Sequence, residues 1–336
     1  MNSVTTAPLI HPLGVAIGDM TPPEQIGETA RWLEQLGYSH ITIPEDCWYI
    51  PALVGVTLAL SATDSIPVGT SIVSALTRHP SILAMELAGI SRAFPGRFRA
   101  GIGLGLPEWL DQMGIRPERA VGALKEAVTA IRRLADGETV TAHGRHVQLD
   151  GIGITHPVTA PMPITLGVIG PMMLRLSGQV ADTTLFGAAA GLDYFRYAMP
   201  IVQEGARSAG RDPEQLTFAT VALVSVNHDA GRALEVARPV LAGFLGEFGV
   251  NVLSDAYGIS DELSSMLERG GESVILKEMP DRWVQDLMLV GTPEMVAEQV
   301  RSWVDAGIDS IAMFLPHESE RDVLTLVAEE VIPRLR

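Results

Sequence analysis

The sequence has little cysteine and no long apolar run. Its one cysteine, Cys47, excludes an intrachain disulfide framework and any cysteine-rich zinc or iron–sulfur site. No apolar run approaches the ~18 residues that a membrane-spanning helix needs. Residues 1–8 have neither the basic start nor the apolar stretch of a secretory signal. These absences predict a cytoplasmic protein that has no membrane among its partners.

Positive charge is also scarce, because 24 Lys and Arg stand against 40 Asp and Glu, a net charge of −16. Such a chain repels phosphate backbones and anionic lipid, which argues against nucleic acid as a partner. A solubilising surface accounts for the acidity on its own. His143 and His146 flank Gly144 with no carboxylate to complete a set of metal ligands, so we predict no metal site.

Short apolar runs alternate with longer stretches of helical periodicity, as expected of parallel strands covered by helices. The length of 336 residues allows two domains or one large α/β barrel. No Pro/Gly/Ser-rich linker divides the chain, so the pattern predicts a single (β/α)₈ barrel over residues 1–336. The eight predicted strands are residues 11–18, 40–45, 66–73, 97–103, 164–170, 183–187, 218–226 and 310–316.

Two segments depart from the plain repeat. Residues 138–149 alternate around Gly144 and predict a β-hairpin before the fifth strand. Residues 247–289 are longer than a βα connection needs, with weak helical pieces, and predict a helical insertion before the last βα unit. Since long connections are often lids or binding segments, we expect this insertion to cap the barrel mouth.

Two helix starts carry recognisable capping signals. Thr21, followed by two prolines and Glu24, predicts an N-cap with a capping box. Thr292 before Pro293 predicts a second N-cap of the same kind.

A glycine-rich run from Gly101 to Leu106 follows the fourth strand. Leu106 stands where a dinucleotide-binding motif requires glycine, so that motif is absent. The glycines either let a flat ligand or a phosphate approach the backbone, or they reflect tight packing. Gly170 and Pro171 open a helix after the fifth strand, where free N–H groups could hold an anion.

Two adjacent carboxylates, Glu45 and Asp46, end the second strand, and Trp48 and Tyr49 follow them. At the C-terminal end of a barrel strand such carboxylates could orient a substrate or serve in acid–base work. The alternative is a loop or N-cap carboxylate. Cys47 has no base or cation nearby in sequence, so we interpret it as a packing thiol.

Five segments together carry a resemblance to a known family. They are LGYSHITIPED (36–46), IPVGTSIVSALTRHPSILAMELAGISRAFPGR (66–97), GIGLGLPEWLDQMG (101–114), PITLGVIGPMMLRLSGQVAD (163–182) and GTPEMVAEQVRSWVDAGID (291–309). Their order and spacing resemble the luciferase-like monooxygenase superfamily. The GIGLGLPEWL and GPMMLRLSG runs resemble its branch that uses coenzyme F420, a deazaflavin, and that includes the methylenetetrahydromethanopterin reductases. The resemblance implies hydride transfer between F420 and a small organic substrate in a homodimeric enzyme, with an FMN-dependent monooxygenase as the alternative.

The resemblance also implies a cofactor site. In the F420 branch the third strand ends in a bulge whose non-prolyl cis peptide backs the cofactor ring, and Ser71 and Ile72 match it. The polar edge of the cofactor would meet the Glu45–Asp46 backbone and Ser74. The other implied cofactor contacts are Gly103, Gly105, Trp109, Ile169, Gly170, Pro171 and Met172.

Catalytic and substrate roles follow from the same comparison. Asp46 is the candidate proton donor, with Glu45 as an orienting or second acid group. Asp19, Trp48 and Leu106 are the candidate substrate contacts. Several members of the family have His where Asp46 stands, and some have Glu where Leu106 stands, so sugar-phosphate chemistry is not implied. A cofactor-binding barrel without catalytic activity is a further alternative.

Overall fold

The strands of this computed structural model, which describes residues 11–18, 20–315 and 320–336, lie where short apolar runs occur. They are β1 (Leu13–Ala16), β2 (Ile41–Ile43), β3 (Val68–Thr70), β4 (Val73–Ser74), β5 (Phe98–Gly103), β6 (Val140–His143), β7 (Gln148–Ile152), β8 (Ile164–Gly167), β9 (Thr183–Phe186), β10 (Thr217–Val226), β11 (Leu289–Gly291) and β12 (Ser310–Phe314).

Eight parallel strands close into a barrel in the order β1, β2, β3, β5, β8, β9, β10 and β12, and β12 pairs back to β1. The β4 strand continues beyond β3 and pairs with β5, and β11 lies beside β10 outside the ring. The predicted (β/α)₈ barrel is therefore confirmed. The predicted hairpin is confirmed as well, since β6 and β7 pair antiparallel.

Helices follow the barrel strands and cover the outer face of the barrel. They are α1 (Pro23–Leu36), α2 (Ala52–Ala62), α3 (Pro80–Ala93), α4 (Pro107–Gln112), α5 (Ala120–Ala135), α6 (Pro171–Val180), α7 (Leu192–Ser208), α8 (Ala230–Phe248), α9 (Val252–Ala256), α10 (Ser260–Gly270), α11 (Glu272–Glu278), α12 (Asp281–Leu287), α13 (Pro293–Asp305), α14 (Glu320–Leu326) and α15 (Ile332–Leu335). A π-helical turn, Val327–Val331, joins the last two. In the part of the chain that the structure describes, none of these helices is long and apolar enough to cross a membrane.

The two predicted helix starts have different outcomes. The hydroxyl of Thr292 accepts a hydrogen bond from the Met295 N–H at 3.4 Å, which confirms the cap of α13. The capping box predicted at Thr21 is wrong, because Pro22 is the N-cap of α1 and provides no side-chain bond. Thr21 is instead buried, and its N–H donates to the Gly18 carbonyl at 3.1 Å. The two prolines, whose φ is already near the helical value, let the helix start one residue later.

The predicted insertion contains the helices α9–α12, which share an apolar core with α8. This second core includes Trp283, which is almost fully buried, and it packs on Ala189, Leu223 and Val290 near the ends of β9, β10 and β11. The helical insertion therefore lies against the C-terminal ends of the strands. In a (β/α)₈ barrel this is the end that carries the active site.

Candidate active site

Ile72 lies at the C-terminal end of the barrel, where the chain passes from β3 to β4. The peptide bond between Ser71 and Ile72 is cis, as predicted. The Ser71 N–H donates to the Ile43 carbonyl at 3.0 Å, and the Ile72 carbonyl accepts from the Glu45 N–H at 3.1 Å. Both residues are half-buried, so an apolar side chain is presented to the mouth by a backbone anchored to the end of β2.

Two glycines make room for this side chain. Gly103 of β5 and Gly167 of β8 are register partners. A Cβ at Gly103 would lie 2.7 Å from Ile72 Cδ1, and a Cβ at Gly167 would lie 2.7 Å from Ile72 Cγ2. Because both distances are far below van der Waals contact, a side chain at either glycine would require Ile72 to shift from its place between the two strand ends. We call this arrangement the Ile72 platform.

Packing also accounts for Gly101, while Gly105 has a different role. A Cβ at Gly101 would lie 1.9 Å from the Thr70 carbonyl oxygen. Of the two explanations that the sequence left open, tight packing therefore explains Gly101 and Gly103. Gly105 has a φ of +93°, a backbone conformation that glycine adopts without strain, and it turns the chain at the mouth.

Glu45 is held by an arginine that the sequence did not single out. Arg78 Nη2 donates to Glu45 Oε1 at 2.7 Å, and Arg78 Nη1 donates to Glu45 Oε2 at 2.9 Å. The Glu45 side chain is only 9% exposed. The hydrogen bonds from Arg78 to Glu45 raise the pKa of that guanidinium. The sequence offered one clue to this ion pair: Arg78 follows the third predicted strand, which neighbours the acidic end of the second.

Ser74 is buried beneath the loop that follows β5. Its hydroxyl donates to the Leu104 carbonyl at 2.7 Å and accepts from the Leu76 N–H at 3.2 Å. Its backbone N–H donates to a Glu45 carboxylate oxygen at 3.3 Å. The predicted polar-edge residues Glu45 and Ser74 are thus brought together, with the Ser74 hydroxyl engaged inside the protein.

Asp46 and Cys47 lie in the loop after β2. Asp46 is half-buried, and its backbone carbonyl accepts hydrogen bonds from the N–H groups of Tyr49 and Ile50. Burial raises the pKa of the Cys47 thiol, and the neighbouring carboxylates of Glu45 and Asp46 raise it further. A thiol with a raised pKa is a poor nucleophile, which agrees with a packing role.

Trp48 connects two loops of the mouth. It has a φ of +77° and a largely exposed ring, whose Nε1 donates to Gln112 Oε1 of α4 at 3.2 Å. Since β3 lies between β2 and β5, this hydrogen bond crosses above the end of β3. Leu106, the N-cap of α4, and Trp109 are half-buried in the same loop region.

The N-terminus of α6 offers free backbone donors on the other side of the platform. Gly170 is its N-cap and provides no side chain, Pro171 is the first helical residue, and no acidic residue lies in the first turn. A Cβ at Gly170 would meet open space, and Ile169 and Met172 are exposed. An N-terminus of this kind suits an anion, because its N–H groups point outward and the helix dipole favours negative charge.

The remaining predicted site residue, Asp19, lies outside the described residues. Among the described residues no group of three or more His, Cys, Asp and Glu side chains could hold a metal ion. The sequence alone could not identify Gln112, because its role depends on how the loop after β2 bends toward α4.

Comparison with known proteins establishes the family. The family model of the luciferase-like monooxygenases matches residues 7–310, so the chain belongs to that family. A 5,10-methylenetetrahydromethanopterin reductase from Methanolobus tindarius is 27% identical over 325 residues, covering 95% of this chain and 99% of the relative. An F420-dependent glucose-6-phosphate dehydrogenase from Nakamurella multipartita is 28% identical over 330 residues, covering 94% and 93%.

A solved structure gives the same architecture. The coenzyme F420 dependent tetrahydromethanopterin reductase from Methanopyrus kandleri superposes with a TM-score of 0.84 at 23% identity, covering 98% of this chain and 100% of that one. At this identity the likeness establishes the fold, which agrees with the closed barrel described above.

Proposed function

We propose that this chain is an F420-dependent oxidoreductase that transfers a hydride between the cofactor and a small organic substrate. The Ile72 platform is the observation that carries this proposal, since it places an apolar side chain at the C-terminal ends of the barrel strands, where a cofactor ring would lie against it. Relatives whose names specify F420 align over more than nine-tenths of the chain and support it.

The residues of the mouth fit such a cofactor. Its ring would rest against Ser71 and Ile72, with the Glu45–Asp46 backbone at its polar edge. Its phosphate would lie at the N-terminus of α6, where no side-chain carboxylate of the first turn opposes an anion. When bound and reduced, F420 supplies a hydride. The other proposed cofactor contacts are Gly105, Trp109, Ile169, Gly170, Pro171 and Met172. Ser74 and Gly103 support this surface, because Ser74 holds the Leu104 carbonyl and Gly103 leaves room for Ile72.

Asp46 is the proposed proton donor and Glu45 the orienting group. Arg78 engages both carboxylate oxygens of Glu45, so this side chain is suited to fixing the loop rather than to exchanging protons. Asp46 is half-buried beside it. Trp48 and Leu106 are the proposed substrate contacts.

We further propose that the enzyme works in the cytoplasm as a homodimer, with the helical insertion (247–289) capping the mouth. Support for the dimer comes from α2, which has no charged residue, and from exposed apolar side chains on the outer helices. These are Val54 and Leu58 of α2 and Ile82 and Met85 of α3.

Titration with each cofactor tests the proposal. We expect micromolar or tighter affinity for F420 and at least tenfold weaker affinity for FMN, measured by quenching of cofactor fluorescence. Equal or reversed affinities would favour the FMN-dependent monooxygenase. Failure of both cofactors to bind would contradict the proposed function.

The role of Asp46 is tested by Asp46→Asn. If Asp46 donates the proton, turnover falls by roughly 10²–10⁴ because general acid catalysis contributes about that much, while the Kd for F420 changes little. Asp111→Asn is the matched control, since Asp111 is an exposed carboxylate of α4 paired with Arg116. Turnover that survives at saturating cofactor would show that Asp46 is not the donor.

A further inference from the structure

Large apolar side chains stand in solvent on two neighbouring loops of the mouth. Met20 is 61% exposed in the loop after β1, and Trp48 and Tyr49 are 71% and 59% exposed in the loop after β2. Because β1 and β2 are paired, the two loops are adjacent. We call these three residues the apolar rim. Exposed apolar patches beside a polar surround commonly mark binding sites.

Trp48 of the rim is tethered by a hydrogen bond. Trp48 has a positive φ, which is unfavourable for a bulky residue, and its indole donates to Gln112. Unusual backbone conformations persist only when surrounding structure imposes them, and they cluster at ligand sites. The ring is thus tethered to α4 while most of it stays exposed to solvent.

Most cations in the connections beside the Ile72 platform are already paired. Arg78 binds Glu45 and also lies 3.3 Å from a Glu86 carboxylate oxygen. Arg116 is paired with Asp111 at 2.6 Å. Arg119 is the one cation without an ion pair in the described parts of the connections that follow β1, β2, β3, β5, β8 and β9. It lies at the far end of its connection, as the N-cap of α5.

The loop after β9 adds apolar surface and no charge. Residues 187–191 read Gly-Ala-Ala-Ala-Gly, and Ala189 lines a narrow apolar cleft with Phe244 and Phe248 of α8. The polar side chains of this cleft are engaged, because Asn251 and Ser254 form the capping box of α9. A phosphate entering this cleft would find apolar side chains and no cation among the residues that line it.

We propose that the substrate is an uncharged, largely apolar molecule whose hydrocarbon part packs on the apolar rim, and not a phosphorylated sugar. A cyclic enone is a molecule of this class: its ring is the hydrocarbon part, and its carbonyl or conjugated alkene is the group that reacts. The inference rests on the proposed function, because it names the substrate class of the same site. It depends on Trp48, whose exposed ring also reports on binding.

Equilibrium binding tests the inference independently of turnover. Cyclic enones of increasing size are titrated against the chain with and without oxidised F420, and the fluorescence of Trp48 is followed, with Trp48→Phe as the spectroscopic blank. We expect affinity to rise about fourfold for each additional buried CH₂ group. Glucose 6-phosphate should bind at least a hundredfold more weakly than the best enone, measured by calorimetry.

Two variants locate the site. Trp48→Ala should weaken enone binding at least tenfold while the Kd for F420 stays within twofold. Val304→Ala, which trims an exposed apolar side chain on the outer helix α13, should leave both affinities unchanged. Tighter binding of glucose 6-phosphate, or enone binding unaffected by Trp48→Ala, would overturn the inference. If F420 fails to bind, the proposed function fails, while the enone titration without cofactor still decides the substrate class.

Discussion

A single methyl group at Gly103 would disturb the Ile72 platform. In Gly103→Ala the new Cβ lies 2.7 Å from Ile72 Cδ1 and 2.8 Å from Ile72 Cγ1, whereas ordinary contact begins at 3.4 Å. Either Ile72 or β5 must therefore shift by several tenths of an ångström. Overpacking of this kind typically costs about 1–3 kcal/mol. We expect the urea midpoint to fall accordingly and the affinity for F420 to fall about tenfold, which corresponds to about 1.4 kcal/mol.

The matched control is Gly89→Ala. Gly89 lies inside α3, and a Cβ there would meet nothing within 4 Å. Since alanine favours a helix interior over glycine, this variant should be unchanged or more stable by up to about 1 kcal/mol.

A double mutant separates the clash from other effects of the methyl group. Ile72→Ala removes both atoms that the new Cβ approaches, so the double variant Gly103→Ala/Ile72→Ala should show a favourable coupling of about 0.5–3 kcal/mol. Urea unfolding followed by circular dichroism gives the stability, and fluorescence titration gives the affinity. Equal results for Gly103→Ala and Gly89→Ala in both measurements, or additive effects of the changes at Gly103 and Ile72, would show that no clash with Ile72 exists.

Three further predictions concern stability and assembly. Arg78→Met leaves a nearly buried carboxylate without its partner and should lower the free energy of unfolding by about 1–3 kcal/mol, whereas Arg116→Met, which breaks an exposed pair, should cost less than about 1 kcal/mol; equal losses in urea unfolding would contradict this. Burial lowers the pKa of His40 to about 3, so the unfolded chain binds a proton below about pH 6.5 that the folded chain does not. Stability should therefore fall from pH 6.5 to 5 by up to about 1.4 kcal/mol per pH unit, and His40→Gln should flatten that slope. Leu58→Asp on α2 should halve the mass measured by light scattering if this face joins two copies; an unchanged dimer mass would place the interface elsewhere.

The barrel could be predicted from the sequence because each strand is a short apolar run with its own helix behind it. All eight barrel strands lie within the predicted segments or within one residue of them. The ends were less predictable, as β2 shows, since the strand covers only residues 41–43 of the predicted 40–45. Pro44 and the loop after it depart from the sheet, and this departure positions Glu45 and Asp46 at the mouth.

The contacts within the site were less accessible to sequence reasoning. The break between β3 and β4 at Ser71 and Ile72 was predicted from the family pattern and is confirmed. The partnership of Glu45 with Arg78 joins residues 33 positions apart, and it depends on the pairing of β2 with β3, which fixes where the two loops meet. The glycine-rich run was ambiguous for a similar reason, because the atoms that exclude a side chain at Gly101 belong to Thr70 on another strand.

A crystal structure of the chain with oxidised F420 would decide whether the mouth binds the cofactor as proposed. We expect the deazaflavin ring to lie against Ile72, its phosphate to accept hydrogen bonds from the backbone at the start of α6, and the Asp46 carboxyl to face the ring. A ring bound away from Ile72, or a phosphate held elsewhere than at Gly170–Met172, would contradict this expectation.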